Sequence, residues 1–128
     1  MKREVILTKN APLPKGPFSQ AIRAGNFLFL PGQAAWDPRS GKLLAHGAIA
    51  TQTEIIIKNI SAILKVGGCS LDNVVKVNVF INDLSNFDSF NDVYKKYFVE
   101  NQPARTTVEI GNFKEGMCIE MDMVTLVP

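Results

Sequence analysis

The chain has 128 residues, of which 46% are hydrophobic and 20% are charged, and this is the composition of a globular protein with one domain over residues 1–128. Fourteen Lys and Arg residues against twelve Asp and Glu residues leave a net charge of +2, which is too small to favour a charge-driven nucleic-acid binder. Its longest apolar stretches fall far short of the ~20 residues that a membrane span needs, so we expect no membrane partner.

The first half of the chain predicts three strands and a helix. A short apolar run at residues 5–7 predicts a strand, and a proline-rich loop follows it. Residues 19–24 and 27–30 flank a Gly-Asn pair that tolerates positive φ, so they predict a tight hairpin. Isoleucines at helical spacing from Ile49 to Leu64 predict the first helix, which the pair Gly67-Gly68 ends.

The second half predicts a strand, a helix and two more strands. Val74–Ile81 alternates and is rich in β-branched residues, which is typical of a central strand. Aromatic residues at helical spacing between residues 87 and 98 predict the second helix. Residues 104–110 and 117–127 predict the last two strands. The order is β-β-β-α-β-α-β-β, and the short crossover through the second helix predicts a parallel pair of strands.

One mixed sheet with two helices on one face is the economical arrangement of these elements, so we expect an α+β fold. The helices cover only the inner face of such a sheet. Aliphatic residues on both faces of Val74–Ile81 favour an outer face that meets another subunit. An outer face that meets water is an equally weighted alternative.

The scarcity of cysteine and histidine restricts the available chemistry. Cys69 and Cys118 are interpreted as two reduced thiols. His46 is the only histidine, which excludes a histidine-based metal cluster and a conventional Ser-His-Asp triad, so we expect no metal. The first seven residues do not resemble a signal peptide, and this favours a cytoplasmic protein.

Two charged residues in the last two predicted strands are candidates for function. Alternation places Arg105 and Thr107 on one face of the first strand and Glu120 on one face of the second. If the apolar residues of both strands point to one core, Arg105 and Glu120 lie on the same side of the sheet. A salt bridge is the simpler interpretation of such a pair. The functional interpretation is a cradle in which the guanidinium grips a small carboxylate and the glutamate holds a water.

Six segments resemble the RidA/YjgF family in their order and spacing, from about residue 8 to residue 127. The proline-alanine-arginine-threonine segment, followed by an isoleucine-glutamate strand and preceded by an Asn-x-Val-Tyr helix, is the specific part of this resemblance. The segments are residues 11–21, 31–33, 74–80, 90–94, 103–108 and 119–121.

The resemblance implies a chorismate-mutase-like α+β fold and a homotrimer with its sites in the clefts between subunits. It implies an imine/enamine deaminase that needs no cofactor and hydrolyses 2-iminobutanoate and 2-iminopropanoate to 2-keto acids and ammonia. A cleft between subunits would let Arg105 and Glu120 meet across a subunit boundary.

The resemblance also assigns roles to individual residues. It implies that Arg105 binds the carboxylate of the imino acid and that Glu120 holds or polarises the attacking water. Gly32 would bring its backbone close to the ligand, where a side chain would obstruct the approach. The remaining implied site residues are an apolar wall, a supporting amide and a side chain on the same face as Arg105, namely Phe18, Asn91 and Thr107.

Three positions depart from the family pattern. Phe18 stands where many members carry tyrosine, and Thr107 stands where many carry cysteine. Pro31 replaces the serine of deaminase-competent members, and the loss of its hydrogen bond would cost ~1–3 kcal/mol, roughly tenfold to a hundredfold in rate. Pro31 and Phe18 favour the alternative of a non-catalytic trimer that binds small carboxylates through Arg105.

Overall fold

The computed structural model describes residues 2–128. It contains six strands and two α-helices in the predicted order: β1 (Arg3–Ile6), β2 (Ala21–Ala24), β3 (Phe27–Gln33), α1 (Ile49–Val66), β4 (Val74–Ile81), α2 (Phe87–Tyr97), β5 (Ala104–Glu109) and β6 (Ile119–Leu126). Single 3₁₀ turns at Leu71–Asn73 and Leu84–Asn86 precede β4 and α2.

The strands form one mixed sheet in the order β1-β2-β3-β6-β4-β5. β4 and β5 run parallel and are connected through α2, as predicted, while all other neighbouring strands are antiparallel. The predicted hairpin is confirmed, because β2 and β3 pair on either side of Gly25, whose φ is 59°.

The two helices and the inner face of the sheet enclose one core. α1 begins at Ile49, where no side chain caps it, and its isoleucine run is tolerated because Ile56 and Ile57 are completely buried. Burial of these side chains outweighs the weak helix propensity of β-branched residues. The inner face of β4 and β6 contributes Val77, Val79, Ile81, Ile119, Met121 and Met123.

The outer face of the sheet carries apolar side chains that nothing within residues 2–128 covers. Phe29 pairs with Val124, and Phe27 pairs with Leu126, all four on the face opposite the buried Met123 and Thr125. Phe27, Phe29 and Leu126 remain 41–45% exposed. Exposed apolar surface of this kind marks sites of interaction.

No helix within residues 2–128 is long and apolar enough to cross a membrane.

Candidate functional site in two cavities

Arg105 and Glu120 lie on opposite faces of the sheet, so the expectation that they share a face within one chain is wrong. Arg105 pairs with the fully buried Val77 of β4, whereas Glu120 pairs with Phe80. Residues 77 and 80 are three positions apart on one strand, and side chains alternate between faces. Arg105 therefore points to the helix side and Glu120 to the outer face.

The edge strand β5 explains why the predicted face of Arg105 is wrong. That prediction requires Val108 to point to the core, but Val108 is 39% exposed and pairs with Phe80 on the outer face. The polar set of β5, with Arg105 and Thr107, faces the helix side. Aromatic side chains of α2 pack against the Arg105 side chain there. An assignment that points every apolar residue of a strand to the core does not predict this.

Three rings of α2 hold the Arg105 guanidinium. Its Cζ lies 5.5 Å from the ring centroid of Phe87, 5.0 Å from that of Phe90 and 4.7 Å from that of Tyr94. The rings share one side of the helix because they recur at spacings of three and four residues. Each such contact stabilises a cation by about 0.5–2 kcal/mol, depending on its desolvation.

A cavity of about 360 Å³ opens beside this guanidinium, and we call it the helix-side cavity. No carboxylate lies within 4.0 Å of Arg105, since Lys95 and Asp92 form the only ion pair among residues 2–128. The salt-bridge interpretation of Arg105 is therefore wrong for the protomer. The lining residues are Asn91, Tyr94, Lys95, Gln102, Pro103 and Arg105.

Three buried hydroxyls on this side of the sheet have no hydrogen-bond partner within residues 2–128, those of Tyr94, Thr107 and, farther along β6, Thr125. Burial raises the pKa of Tyr94 to about 12, against the opposing effect of the positive charge on Arg105. The Tyr94 hydroxyl thus keeps its proton at neutral pH and can donate it in a hydrogen bond. Buried groups without partners are rare, and they occur where a ligand or water completes the contact.

A bulge in β3 brings backbone against Glu120 on the outer face. Leu30 pairs with Met123 and Gln33 with Met121, so β3 carries one residue more than its partner over this stretch. Pro31 lies within the bulge, where its missing N–H breaks no regular ladder. A Cβ on Gly32 would come within 2.6 Å of Glu120 Oε1, so only glycine leaves this carboxylate in place.

Glu120 opens into a second cavity, of about 210 Å³, which we call the outer-face cavity. Its carboxylate is partly buried, and this burial, together with the nearby negative charge of Asp122, raises the pKa of Glu120 above its ordinary value. The lining residues are Pro12, Leu13, Pro14, Lys15, Phe18, Gln20, Gly32, Gln33, Trp36 and Glu120.

Gln20 fixes the loop that walls this cavity. Its side chain is 1% exposed, and Oε1 accepts a hydrogen bond from the Thr8 amide at 2.7 Å. Nε2 donates to the carbonyls of Thr8 at 3.0 Å and Pro12 at 2.8 Å. This one side chain thereby forms hydrogen bonds with backbone groups of the proline-rich loop that have no backbone partner in the loop.

The six residues assigned from the sequence divide between these cavities. Arg105 and Asn91 line the helix-side cavity, and Thr107 lies on the same face. Phe18, Gly32 and Glu120 line the outer-face cavity. One chain does not bring the two groups together. Among residues 2–128, no three His, Cys, Asp or Glu side chains cluster closely enough to hold a metal ion.

Sequence reasoning missed four residues that shape the cavities. Sequence analysis places neither Tyr94 nor Trp36 in the candidate site. Lys15 and Gln20 had no role, although Gln20 was part of a matched segment. The signal for Gln20 was its type, since a glutamine after a proline-rich loop is suited to latch backbone groups. The signal for Tyr94 was its spacing from the other rings of α2.

Comparisons with known proteins agree with the resemblance seen in the sequence. The profile of the family described as endoribonuclease L-PSP matches residues 8–127. A RutC family protein of Pyrococcus horikoshii is 46% identical over 122 residues, which cover 95% of this chain and 96% of that protein.

Two further relatives carry more specific names. The human 2-iminobutanoate/2-iminopropanoate deaminase is 38% identical over 124 residues, covering 97% of this chain and 90% of the human protein. The crystal structure of RidA from an Antarctic Psychrobacter superposes with a TM-score of 0.90 at 34% identity. That superposition covers 97% of this chain and 99% of the RidA chain.

Proposed function

We propose, on the premise that this chain belongs to the endoribonuclease L-PSP family with its RidA/YjgF members, that it hydrolyses reactive 2-imino acids to 2-keto acids and ammonia. Family membership rests on the match over residues 8–127 and on the 46% identical relative. The substrates we propose are 2-iminobutanoate and 2-iminopropanoate, which the name of the human relative carries.

The observation that carries this proposal is the unpaired guanidinium of Arg105 beside an open cavity. Aromatic rings hold the cation, and no protein carboxylate neutralises it. A planar guanidinium can donate two parallel hydrogen bonds to a carboxylate. The Tyr94 hydroxyl at the same cavity is a further donor for a small anionic ligand.

We infer that the complete site forms between protomers of a homotrimer. The helix-side cavity holds the cation and the outer-face cavity holds the carboxylate, so a site that uses both needs two copies of the chain. The exposed Phe27, Phe29 and Leu126 support assembly through the outer face, since burying them removes apolar surface from water. Heterologous contacts of this kind close into rings.

In the proposed mechanism, Arg105 binds the substrate carboxylate and Glu120 of a neighbouring protomer acts on water. Water adds to the imine carbon, and the Glu120 carboxylate passes one of the water protons to the imine nitrogen, which gives a carbinolamine. The Glu120 carboxylate then carries the hydroxyl proton of this adduct to the amino nitrogen as the C–N bond breaks, so ammonia leaves with both water protons and the keto acid remains. A raised pKa makes Glu120 a better base than an ordinary carboxylate.

The other assigned residues would shape the cleft. Gly32 leaves room for the Glu120 carboxylate, and Phe18 supplies an apolar wall. Asn91 lines the helix-side cavity beside Arg105, and the unpartnered hydroxyl of Thr107 lies on the same face. Imines hydrolyse in water unaided, so orientation and one placed water are a sufficient contribution.

A non-catalytic trimer that binds small carboxylates is the second candidate. Pro31 favours it, because proline offers neither a hydroxyl nor an N–H to a substrate at the position where deaminase-competent members carry serine.

One coupled assay separates the two functions. A threonine dehydratase generates 2-iminobutanoate, and semicarbazide trapping follows its decay with and without the protein. We expect accelerated decay that falls at least about a hundredfold in Arg105→Ala, because carboxylate capture is lost. Arg39→Ala, an exposed arginine in neither cavity, is the matched control and should retain full activity.

The outcomes are distinct. Binding of 2-ketobutyrate without acceleration of decay would support the non-catalytic candidate. Light scattering on the same sample measures the assembly, and a monomer with full activity would contradict the site between protomers.

A further inference from the structure

Lys15 places an ammonium group in the same cavity as Glu120. Its side chain lines the outer-face cavity, and its Nζ lies 4.1 Å from the centroid of the Trp36 ring. Nζ also donates a hydrogen bond to the Gly41 carbonyl. These two contacts hold the cation beside Trp36, at what we call the Trp36 end of the cavity.

The partners of Lys15 are themselves fixed. The Gly41 amide donates to the Asp37 carbonyl at 2.8 Å, and the Asp37 amide donates to the Lys42 carbonyl at 2.8 Å. Asn59 of α1 donates to the Trp36 carbonyl at 2.9 Å. The loop between Trp36 and Leu43 is therefore an ordered support, which lowers the entropy lost when the ammonium engages a ligand.

Lys15 and Glu120 line one cavity without neutralising each other. Their charged atoms are more than 4.0 Å apart, since Lys95–Asp92 is the only ion pair among residues 2–128. Such a cavity suits a ligand with an electron-poor centre near the carboxylate and a negative group near the ammonium. Under the proposed function the α-carboxylate binds Arg105, so the ammonium is left for a negative group on the side chain.

We propose that Lys15 is a specificity-determining residue that directs the enzyme to 2-imino acids with a second carboxylate on the side chain. This inference rests on the proposed function, and the hydrolysis is the same reaction. Leu13 and Trp36 supply apolar surface along which the methylene groups of such a side chain lie. The second carboxylate meets Lys15 at the Trp36 end.

Lys114 offers a matched control for Lys15. Its Nζ lies 5.3 Å from the centroid of the same Trp36 ring, but it lines a different cavity with His46 and Glu115. Replacing either lysine by methionine removes one charge and one cation–π contact with Trp36, while the length of the side chain is retained. Only the change at residue 15 alters the cavity that contains Glu120.

The experiment compares two imines in semicarbazide trapping. An aspartate oxidase supplies 2-iminosuccinate, and a threonine dehydratase supplies 2-iminobutanoate. The measured quantity is the ratio of kcat/KM for the dicarboxylic imine to kcat/KM for 2-iminobutanoate. We expect Lys15→Met to lower this ratio about tenfold, since one charge-assisted contact is lost. Lys15→Arg should restore most of the ratio, and Lys114→Met should leave it unchanged.

Each other outcome is decisive. An unchanged ratio in Lys15→Met, or an equal fall of the ratio in Lys114→Met, overturns the role of Lys15. The proposed function stands in either case as long as the wild type accelerates decay of 2-iminobutanoate. If the wild type accelerates decay of neither imine, the proposed function fails and the inference fails with it.

Discussion

The two cavities differ in how their charged residue is held. In the helix-side cavity, rings on one helix surround Arg105, so the cation depends on the packing of α2. In the outer-face cavity, Glu120 depends on a bulge and on a loop latched by Gln20. An arginine and a glutamate on one face would pair and neutralise each other. Their placement on opposite faces keeps them from pairing within one chain, as the proposed site between protomers requires.

Mixing two inactive variants gives the largest effect expected from this arrangement. Arg105→Ala and Glu120→Ala should each lose at least about a hundredfold in activity. Co-expressed with different tags and purified as mixed trimers, they should recover about one third of wild-type activity, because each proposed site takes Arg105 from one protomer and Glu120 from the next, so that one site in three is complete. The coupled imine assay measures this recovery.

The control is an oligomer in which every chain carries Arg105→Ala, purified through the same two tags. It should stay inactive. If co-expression of the two different variants also yields no recovery, the division of the site between protomers is wrong.

A methyl group at Gly32 tests the outer-face cavity alone. The added Cβ would lie 2.6 Å from Glu120 Oε1, so the carboxylate must move. We expect Gly32→Ala to lower kcat about tenfold to a hundredfold, because a displacement of an ångström at a reacting group has effects of this size. Gly111→Ala is the control, since a Cβ there meets no atom within 4 Å. Equal activity of both variants would show that the position of Glu120 is unimportant.

The hydrogen bonds of Gln20 allow a test of stability that does not depend on catalysis. Gln20→Leu leaves the Thr8 amide and two carbonyls without partners in a buried setting. We expect the free energy of unfolding to fall by about 1–3 kcal/mol, the cost of an unsatisfied buried group. Urea unfolding at fixed protein concentration measures it. Gln102→Leu removes only one hydrogen bond, from Nε2 of an exposed side chain to the Phe98 carbonyl at 2.8 Å, and should lower the free energy of unfolding by less than Gln20→Leu.

The sequence predicted the elements of the fold because their signals are local. The hairpin at Gly25 and the ring spacing of α2 each follow from residues close together in the chain, and the parallel pair follows from the short crossover. The sequence does not decide whether the outer face meets water or a neighbouring subunit, because the alternating residues of β4 are compatible with both. The proposed covering of that face by a second copy is not a local property, so no local pattern reports it.

The candidate site shows where local reasoning fails. Arg105 and Glu120 were singled out by residue type, and each lines a cavity, but their faces were assigned from the apolar residues of each strand separately. In β5 that rule fails, because this edge strand places Val108 outward and its polar residues toward the rings of α2. The register with β4 decides the faces, and register is a contact between residues 28 positions apart, such as Val77 and Arg105.

The smallest effect expected is a stability change at Glu120. Burial and the charge of Asp122 raise its pKa in the folded protein above the ordinary 4.5, so folding is penalised while the group is ionised. That penalty is absent below pH 4.5 and is fully present once the pH has risen through the folded pKa. Glu120→Gln should therefore be more stable than wild type at pH 7, with a difference that shrinks and vanishes as the pH falls.

Thermal unfolding from pH 4 to pH 8 measures this difference, with the exposed Glu100→Gln as a control that should track wild type. The sign of the stability difference between Glu120→Gln and wild type at pH 7 shows whether the charged groups of the two cavities already touch. If Arg105 of a neighbour already touched Glu120 in the empty trimer, the carboxylate would be stabilised and Glu120→Gln would lower stability. A gain in stability instead means that the two charges stay apart, as the proposed binding of a carboxylate substrate between them requires.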